Sequence, residues 1–341
     1  MNKLILLGKN LLELSDICTE NGIPEFHGVQ LYRWMYQKSV LDINQMSNIP
    51  APLKKTILEK YKINLLNIEK KNHSKNEDTV KYLFKTLDDK LIESVSMIDN
   101  KRHTLCISSQ IGCSVDCDFC ATGKMGIIRN LDCGEIIQQL IIIANEREIP
   151  ITNIVFMGMG EPFLNYNNVI KSCKIMNDSM GFNLSSKKIT ISTSGILPKI
   201  EKFISEGHKY KLAISLNASN NITRDRLIPI NKKWPIEHIL KALKKYTYKK
   251  YRPIMFEYVL IKDINDSEQN ARELAHLLRY INCKINIIPY NETEELYKRS
   301  NRIEDFVSQL KKTESNYRVF IRWSKGQDIE AACGQLATQN E

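Results

Sequence analysis

His103-Thr-Leu-Cys106-Ile-Ser-Ser-Gln-Ile-Gly-Cys113-Ser-Val-Asp-Cys117-Asp-Phe-Cys120 is the stretch from which the fold can be read. It opens on a β-rich run and places a C-x3-C-x2-C spacing directly after it. Short β-rich runs then alternate with helical patterns: NIVFM with NVIKSCKIMND, KITIST with ILPKIEKFIS, KLAISL with IEHILKALKKY. IMFEYVLI with EQNARELAHLLRYI and KINIIP with IEDFVSQLKK continue the series, and GEIIQQLIIIANE is the helix that follows the first strand. Six strand–helix units and a last strand at YRVFIRW predict a parallel sheet with right-handed crossovers. With no dinucleotide fingerprint, the expectation is an α/β fold, an incomplete (β/α)6 barrel whose site residues lie just after the strands.

Working outward toward the N-terminus, LLELSDICTE, GVQLYRWMYQ and PAPLKKTILEKY carry apolar residues at three- and four-residue spacing. Residues 1–65 are therefore expected to form a small helical domain. IEKKNHSKNEDT is polar and reads as a loop, and TVKYLFKTLDDKLIESVSMI reads as a hairpin turning at Asp88-Asp89. Residues 66–100 are thus expected to be a linker and β-hairpin extension, and 101–341 the barrel with a C-terminal cysteine segment.

The composition is that of an ordinary globular protein: 43% hydrophobic and 26% charged residues. The N-terminal apolar run is too short for a signal-peptide core, and no stretch approaches bilayer-spanning length, so a cytoplasmic protein without a membrane is expected. Nine cysteines, an odd and unevenly spaced set, argue against a disulfide framework and for metal binding or catalysis. The formal charge of +10 favours a polyanionic partner, nucleic acid first. Lys232 to Arg252 interleaves basic residues with Tyr246, Tyr248 and Tyr251. It reads either as a phosphate- and base-contacting stretch or as a solvated amphipathic helix.

Cys113, Cys117 and Cys120 suit an iron–sulfur cluster, whose irons take thiolate ligands. A structural zinc would need a fourth ligand, with only Cys106 or Cys133 nearby and no second C-x2-C pair. Three ligands on a four-iron cluster leave one iron open to a chelating molecule. The glycine turn Gly158-Met159-Gly160-Glu161-Pro162 follows the second strand, allowing close ligand approach, and Glu161 is able to accept from an ammonium group. Ser192, Ser215 and Asn291 recur at later strand ends, where turn and cap chemistry is the competing account. Cys333, between small residues and beside Gly334, is either an accessible nucleophile or a small buried hydrophobe; spacing alone does not choose.

The cluster motif resembles that of the radical S-adenosylmethionine (SAM) superfamily. TLCISSQIGCSVDCDFCATG, FMGMGEPFLN, ITISTSG, AISLN, INKKWPIE, CKINIIPYN and GQDIEAACGQL together resemble the RlmN family, from about Gln30 to Leu336. Its members are dual-specificity carbon-2 methyltransferases of adenine in 23S ribosomal RNA and transfer RNA. The resemblance implies a [4Fe-4S] cluster on Cys113, Cys117 and Cys120, and SAM, two per turnover, held by Gly160, Glu161, Ser192, Ser215, Leu216, Asn217 and Asn291. The family usually has His where this chain has Asn217. It further implies that Cys333 is methylated by one SAM and loses a hydrogen to a radical made from the second. The carbon radical adds to adenine, and Cys106 releases the product, leaving a transient disulfide with Cys333. Glu93 is implied as the proton acceptor, with Cys106 its rival.

An electron donor such as flavodoxin or ferredoxin, a monomeric state and an RNA-binding helical N-terminal segment complete what the family suggests. The related Cfr-type carbon-8 methyltransferases tend to read Gly-Glu-Ala where this chain reads Gly160-Glu161-Pro162, which favours carbon 2. A non-enzymatic iron–sulfur RNA-binding regulator would not need Cys106 and Cys333 together.

Overall fold

The computed structural model describes residues 3–75, 78–250, 253–292, 297–312 and 317–338; the side chains of 245 and 247–250 lie outside that description. Its centre is one ten-stranded sheet. In chain order the strands are β1 (Leu66–His73), β2 (Thr79–Thr86), β3 (Leu91–Asp99), β4 (Arg102–Cys106), β5 (Asn153–Phe156) and β6 (Ile189–Thr193). β7 (Lys211–Ser215), β8 (Ile254–Leu260), β9 (Cys283–Pro289) and β10 (Tyr317–Ile321) complete it. β4 through β10 pair in order and in parallel, while β1, β2 and β3 extend the sheet antiparallel from β4. Among the described residues the ladder ends at β10 and does not close back on β4. This is the expected incomplete barrel.

The parallel strands are short and built from β-branched residues. Ile189-Thr-Ile-Ser-Thr193 is buried along its whole length, as a strand covered on both faces must be. Helices Cys133–Arg147, Tyr166–Asn177, Leu197–Ser205, Ile236–Lys250, Glu268–Leu278 and Ile303–Lys312 form the outer layer. Leu105, Ile154, Phe156, Ile191, Ile214, Phe256 and Ile285 lie in the core that joins the layers. Two of these helices start on capping boxes, Asp132 with Glu135 and Ser267 with Asn270, which satisfy backbone N–H groups in the first turn. No helix among the described residues is long and apolar enough to cross a membrane.

At the N-terminus, helices Leu11–Glu20, Phe26–Tyr32 and Ala51–Lys60 form as expected, the second running into a π-turn over Arg33–Gln37. Tyr36 accepts from the Gly8 N–H at 2.9 Å and donates to the Lys9 carbonyl at 2.8 Å, and Lys171 of the barrel pairs with Glu13 at 2.6 Å.

The structure corrects two expectations. The polar segment starting at Ile68 reads as a loop, yet Leu66–His73 is a strand paired antiparallel with Thr79–Thr86. Most of its side chains are exposed, so it carries no alternating apolar signal. Its lysines and glutamate belong instead to an edge that resists further pairing. Residues 66–99 therefore form three strands continuous with the barrel sheet. Tyr246, read as a possible base-stacking ring, is 3% exposed and packs in the core. The side chains of Lys245, Tyr248, Lys249 and Lys250, and all of Tyr251 and Arg252, lie outside the described residues.

Candidate active site

Beyond β4 the chain makes a short antiparallel pair, Gln110–Gly112 with Ile127–Asn130, and the cysteine loop is slung between its strands. Gly112 sits at φ +72°, and a Cβ there would collide with the Gly126 carbonyl, so only glycine lets Cys113 take its bond to that carbonyl at 2.8 Å. Cys113, Cys117 and Cys120 line one cavity together with Gly160, Glu161, Ser192, Ser215 and Asn217. Burial pushes the Cys113 thiol up to about 12 and raises Cys117 and Cys120 as well. Metal binding must displace these protons.

The neighbouring cysteines are placed elsewhere. Cys133 accepts from the Ser172 hydroxyl at 3.3 Å beneath the helices, and Cys106 lies on β4. The all-sulfur donor set of Cys113, Cys117 and Cys120 on one loop suits a cube of iron and sulfide.

Around this cavity the rim residues are held by the fold. The Glu161 carboxylate accepts from the Phe163 N–H at 2.9 Å and the Ser194 N–H at 2.7 Å, which partly offsets a burial that raises its pKa. Its own N–H donates to Gln110 at 2.7 Å, and a Cβ on Gly160 (φ +96°) would press into the same Gln110 side chain. Ser192 and Ser215 stand with their hydroxyls 3.4 Å apart. Asn217, at φ +56°, accepts from the Val259 N–H at 2.8 Å, so its side-chain oxygen is committed to the fold. Leu216 packs in the core rather than lining this cavity, and its carbonyl accepts from Arg224 at 3.0 Å.

Arg224, which sequence reasoning missed, is fully buried. It donates to the Ser194, Ser215 and Leu216 carbonyls and to Asn231, strapping two rim turns together. Burial lowers its pKa to about 10. Replacing such a buried cation leaves its acceptors unpaired, at a cost of about 1–3 kcal/mol for each one stranded.

The C-terminal segment closes the cavity. The Ala121 N–H beside Cys120 donates to the Gly334 carbonyl at 2.8 Å, and the Thr122 hydroxyl donates to the Leu336 carbonyl. Cys333 thereby lines the same cavity as the three loop cysteines. Asn291 is bonded to the same segment: its Nδ2 donates to the Cys333 carbonyl and to Ser324, each at 3.0 Å. Its Oδ1 makes no hydrogen bond; nor, on the wall of the cavity, do Ser194 Oγ and Glu257 Oε2, the latter 3.8 Å from the Arg322 guanidinium. Buried polar atoms without hydrogen bonds on a cavity wall are what a polar ligand such as SAM would satisfy.

Glu93 faces another, wider groove that meets the first at Phe119 and Cys120 and is lined also by Lys81, Lys85, Lys124, Tyr290 and Gln335. Its carboxylate pairs with Lys81 at 3.1 Å and accepts from the Ala337 N–H at 3.0 Å. Burial raises its pKa against the opposing effect of Lys81. Lys81, itself buried, was not read from sequence; as one lysine in a β-strand it has no local signal.

Three loop thiols, a fixed glutamate on a glycine turn and hydroxyls at successive strand ends of an open barrel define a radical SAM enzyme. The Radical SAM superfamily model matches residues 107–275, and the model described as ribosomal RNA large subunit methyltransferase N-terminal domain matches residues 4–63. Curated relatives named "Probable dual-specificity RNA methyltransferase RlmN" include one from Dictyoglomus thermophilum, 41% identical and covering 97% of this chain and 96% of its own length. Another, from Thermotoga maritima, is 41% identical over 96% of this chain and 97% of its own. The crystal structure of a radical SAM methyltransferase from Sphaerobacter thermophilus superposes with a TM-score of 0.94 at 38% identity, covering 98% of this chain and 100% of that one. The chain belongs to the RlmN family of radical SAM RNA methyltransferases.

Proposed function

We propose that this chain methylates carbon 2 of adenine in 23S ribosomal RNA and in transfer RNA, carrying the incoming methyl group on Cys333. The observation that carries the reading is the docking of Cys333 on the cysteine loop, where its sulfur is close enough to oppose ionisation of the Cys106 thiol. Cys113, Cys117 and Cys120 would hold the [4Fe-4S] cluster, and Gly160, Glu161, Ser192, Ser215, Leu216, Asn217 and Asn291 would surround SAM. With SAM bound, the cluster supplies the one-electron chemistry that removes hydrogen from a methyl group, two SAM being used per turnover.

The protein's own residues do the rest. Cys333 presents its sulfur to the cavity, and its methylene becomes bonded to the adenine. Glu93 takes the proton from carbon 2, and the adduct's unpaired electron would pass to the one-electron carrier held by Cys113, Cys117 and Cys120. The Cys106 thiolate then attacks the Cys333 sulfur: an S–S bond forms and the C–S bond breaks. The electron pair goes to the released carbon, which takes a proton and becomes the methyl group. A thiol reductant reopens the disulfide. Residues 1–65 act as an accessory RNA-binding domain. The enzyme works as a cytoplasmic monomer supplied with electrons by a flavodoxin or ferredoxin.

Mass spectrometry of ribosomal and transfer RNA from a deletion strain and its complement tests this. Loss and return of 2-methyladenine is expected. A change in 8-methyladenine instead would transfer the chain to the Cfr-type activity. No change in either, with purified protein unable to cleave SAM, would leave a regulator.

A further inference from the structure

Arg322 is the first residue beyond β10, and its N–H donates to the Ile287 carbonyl at 2.8 Å. Its side chain turns into the cavity wall beside Cys333 and Glu257. One guanidinium nitrogen, Nη1, lies 3.5 Å from the Met157 sulfur and 3.8 Å from Glu257 Oε2. Met157 also lies near Cys106, which pairs across β4 and β5 with Val155 two residues earlier, and its backbone N–H favours the Cys106 anion. Arg322 and Cys106 are therefore joined through one residue, at the end of the strand paired with β4. The charged and titratable side chains that act on the Cys106 sulfur are Cys333 and Arg322, and Arg322 itself is held charged by Cys333 first and then by Glu257 and Cys106.

Burial and Cys333 push the Cys106 thiol up to about 12. Among the described residues, Arg322 is the one side chain that acts in the opposite direction. Glu257, on β8, is buried with one oxygen held by Asn286 at 3.0 Å and the other without a hydrogen bond, so its charge faces Arg322. A carboxylate behind a guanidinium fixes where the positive end points.

We propose that Arg322 is a positioning residue for the resolving thiol: anchored by Glu257 and Met157, it holds the cation that lets Cys106 act as a thiolate beside Cys333. This rests on the reading of Cys106 as the resolving cysteine. Glu257 and Arg322 then form one unit with the two sulfurs, assembled from β4, β8, the end of β5 and both sides of the C-terminal loop.

The test uses the anaerobic, cluster-loaded protein in two arms. In the first, oxidised glutathione is added without RNA or SAM. A cysteine thiolate attacks its S–S bond, one glutathione thiolate leaves, and the glutathione-modified or Cys106–Cys333 disulfide peptide is counted by mass spectrometry. Arg322→Gln should slow modification of Cys106 at least about tenfold at pH 8, the scale expected for one favourable charge near a buried thiol, and Arg322→Lys should restore most of the rate.

In the second arm, RNA, SAM and reductant are present. Arg322→Gln should accumulate RNA-bound protein on a denaturing gel, Arg322→Lys much less. If Arg322→Gln exchanges Cys106 at the wild-type rate with its cluster intact, the proposal is overturned. Failure of the wild-type protein to methylate RNA would instead sink the proposed function, and the glutathione arm would still decide the role of Arg322.

Discussion

Asn291 Nδ2 donates to the carbonyl oxygen of Cys333 at 3.0 Å, tying the turn after the last inner strand to the C-terminal loop. The bond sets where the Cys333 sulfur stands relative to the cysteine loop, since the chain on either side is held by Ser324 and by Ala121. Asn291→Ala should therefore retain iron but form RNA-linked protein roughly tenfold more slowly, the loss of one well-placed hydrogen bond being worth about 1–2 kcal/mol. Unchanged linkage kinetics, measured by quenched-time gels, would show that the loop is positioned without it.

Cys113→Ala, Cys117→Ala and Cys120→Ala should each give protein that lacks iron and does not cleave SAM, because three ligands already leave one iron open. Iron quantification after anaerobic reconstitution is the measurement. Four irons per chain retained in any of the three variants would remove the cluster assignment.

The two remaining site cysteines should fail differently. Cys333→Ala should load the cluster and bind SAM yet never attach to RNA. Cys106→Ala should attach and then stall as a nuclease-sensitive band of higher mass. The Cys106 thiol is pushed up to about 12, so its thiolate is scarce at neutral pH and grows as pH rises. Release of the RNA-bound form by the wild-type enzyme should then quicken up to about tenfold per pH unit through the alkaline range, with no plateau near the ordinary thiol value of ~8.5. A plateau there would show that burial does not hold the resolving thiol above its ordinary value.

Glu93 must be ionised to accept a proton, and its pKa is raised by burial while Lys81 at 3.1 Å opposes the rise. Lys81→Met removes the opposing cation, so the carboxyl titrates higher still and the acidic limb of the pH–rate profile should move to higher pH. Glu93→Gln should lose the limb together with most of the activity. A Lys81→Met profile superimposable on wild type would separate Glu93 from proton transfer.

RNA affinity should fall steeply with salt if the charge of +10 reflects phosphate binding. Charge reversal of Lys244, Lys245, Lys249 and Lys250 should flatten the slope by about 0.7–0.9 for each phosphate no longer neutralised. Tyr246→Ala should act on stability instead, by about 3–5 kcal/mol, because that ring is buried in the core. An unchanged slope in the quadruple variant, by filter binding at several salt concentrations, would make this helix face a solvated one.

The alternation of strand and helix was legible in the sequence because periods of 2.0 and 3.6 residues are local: whether KITIST is a strand depends on its own side chains. The cluster loop and the glycine turn were legible for the same reason, each being complete within a few residues. Cys106 and Cys333 were visible as motifs, but the pairing of their roles came from family resemblance. β1 was not legible, because an exposed, charged edge strand is defined by the neighbour it pairs with and not by its own pattern.

The groups that tune the site were silent too. Lys81 meets Glu93 across two paired strands, and Arg224 gathers carbonyls from two separate turns. Arg322 reaches Glu257 and Met157 only because β5 and β8 end at the same rim as β10. The sequence determined which elements form and which sulfurs are present. Tertiary structure decided which charges face those sulfurs, because in a parallel barrel the register of distant strands, not spacing along the chain, brings their ends together.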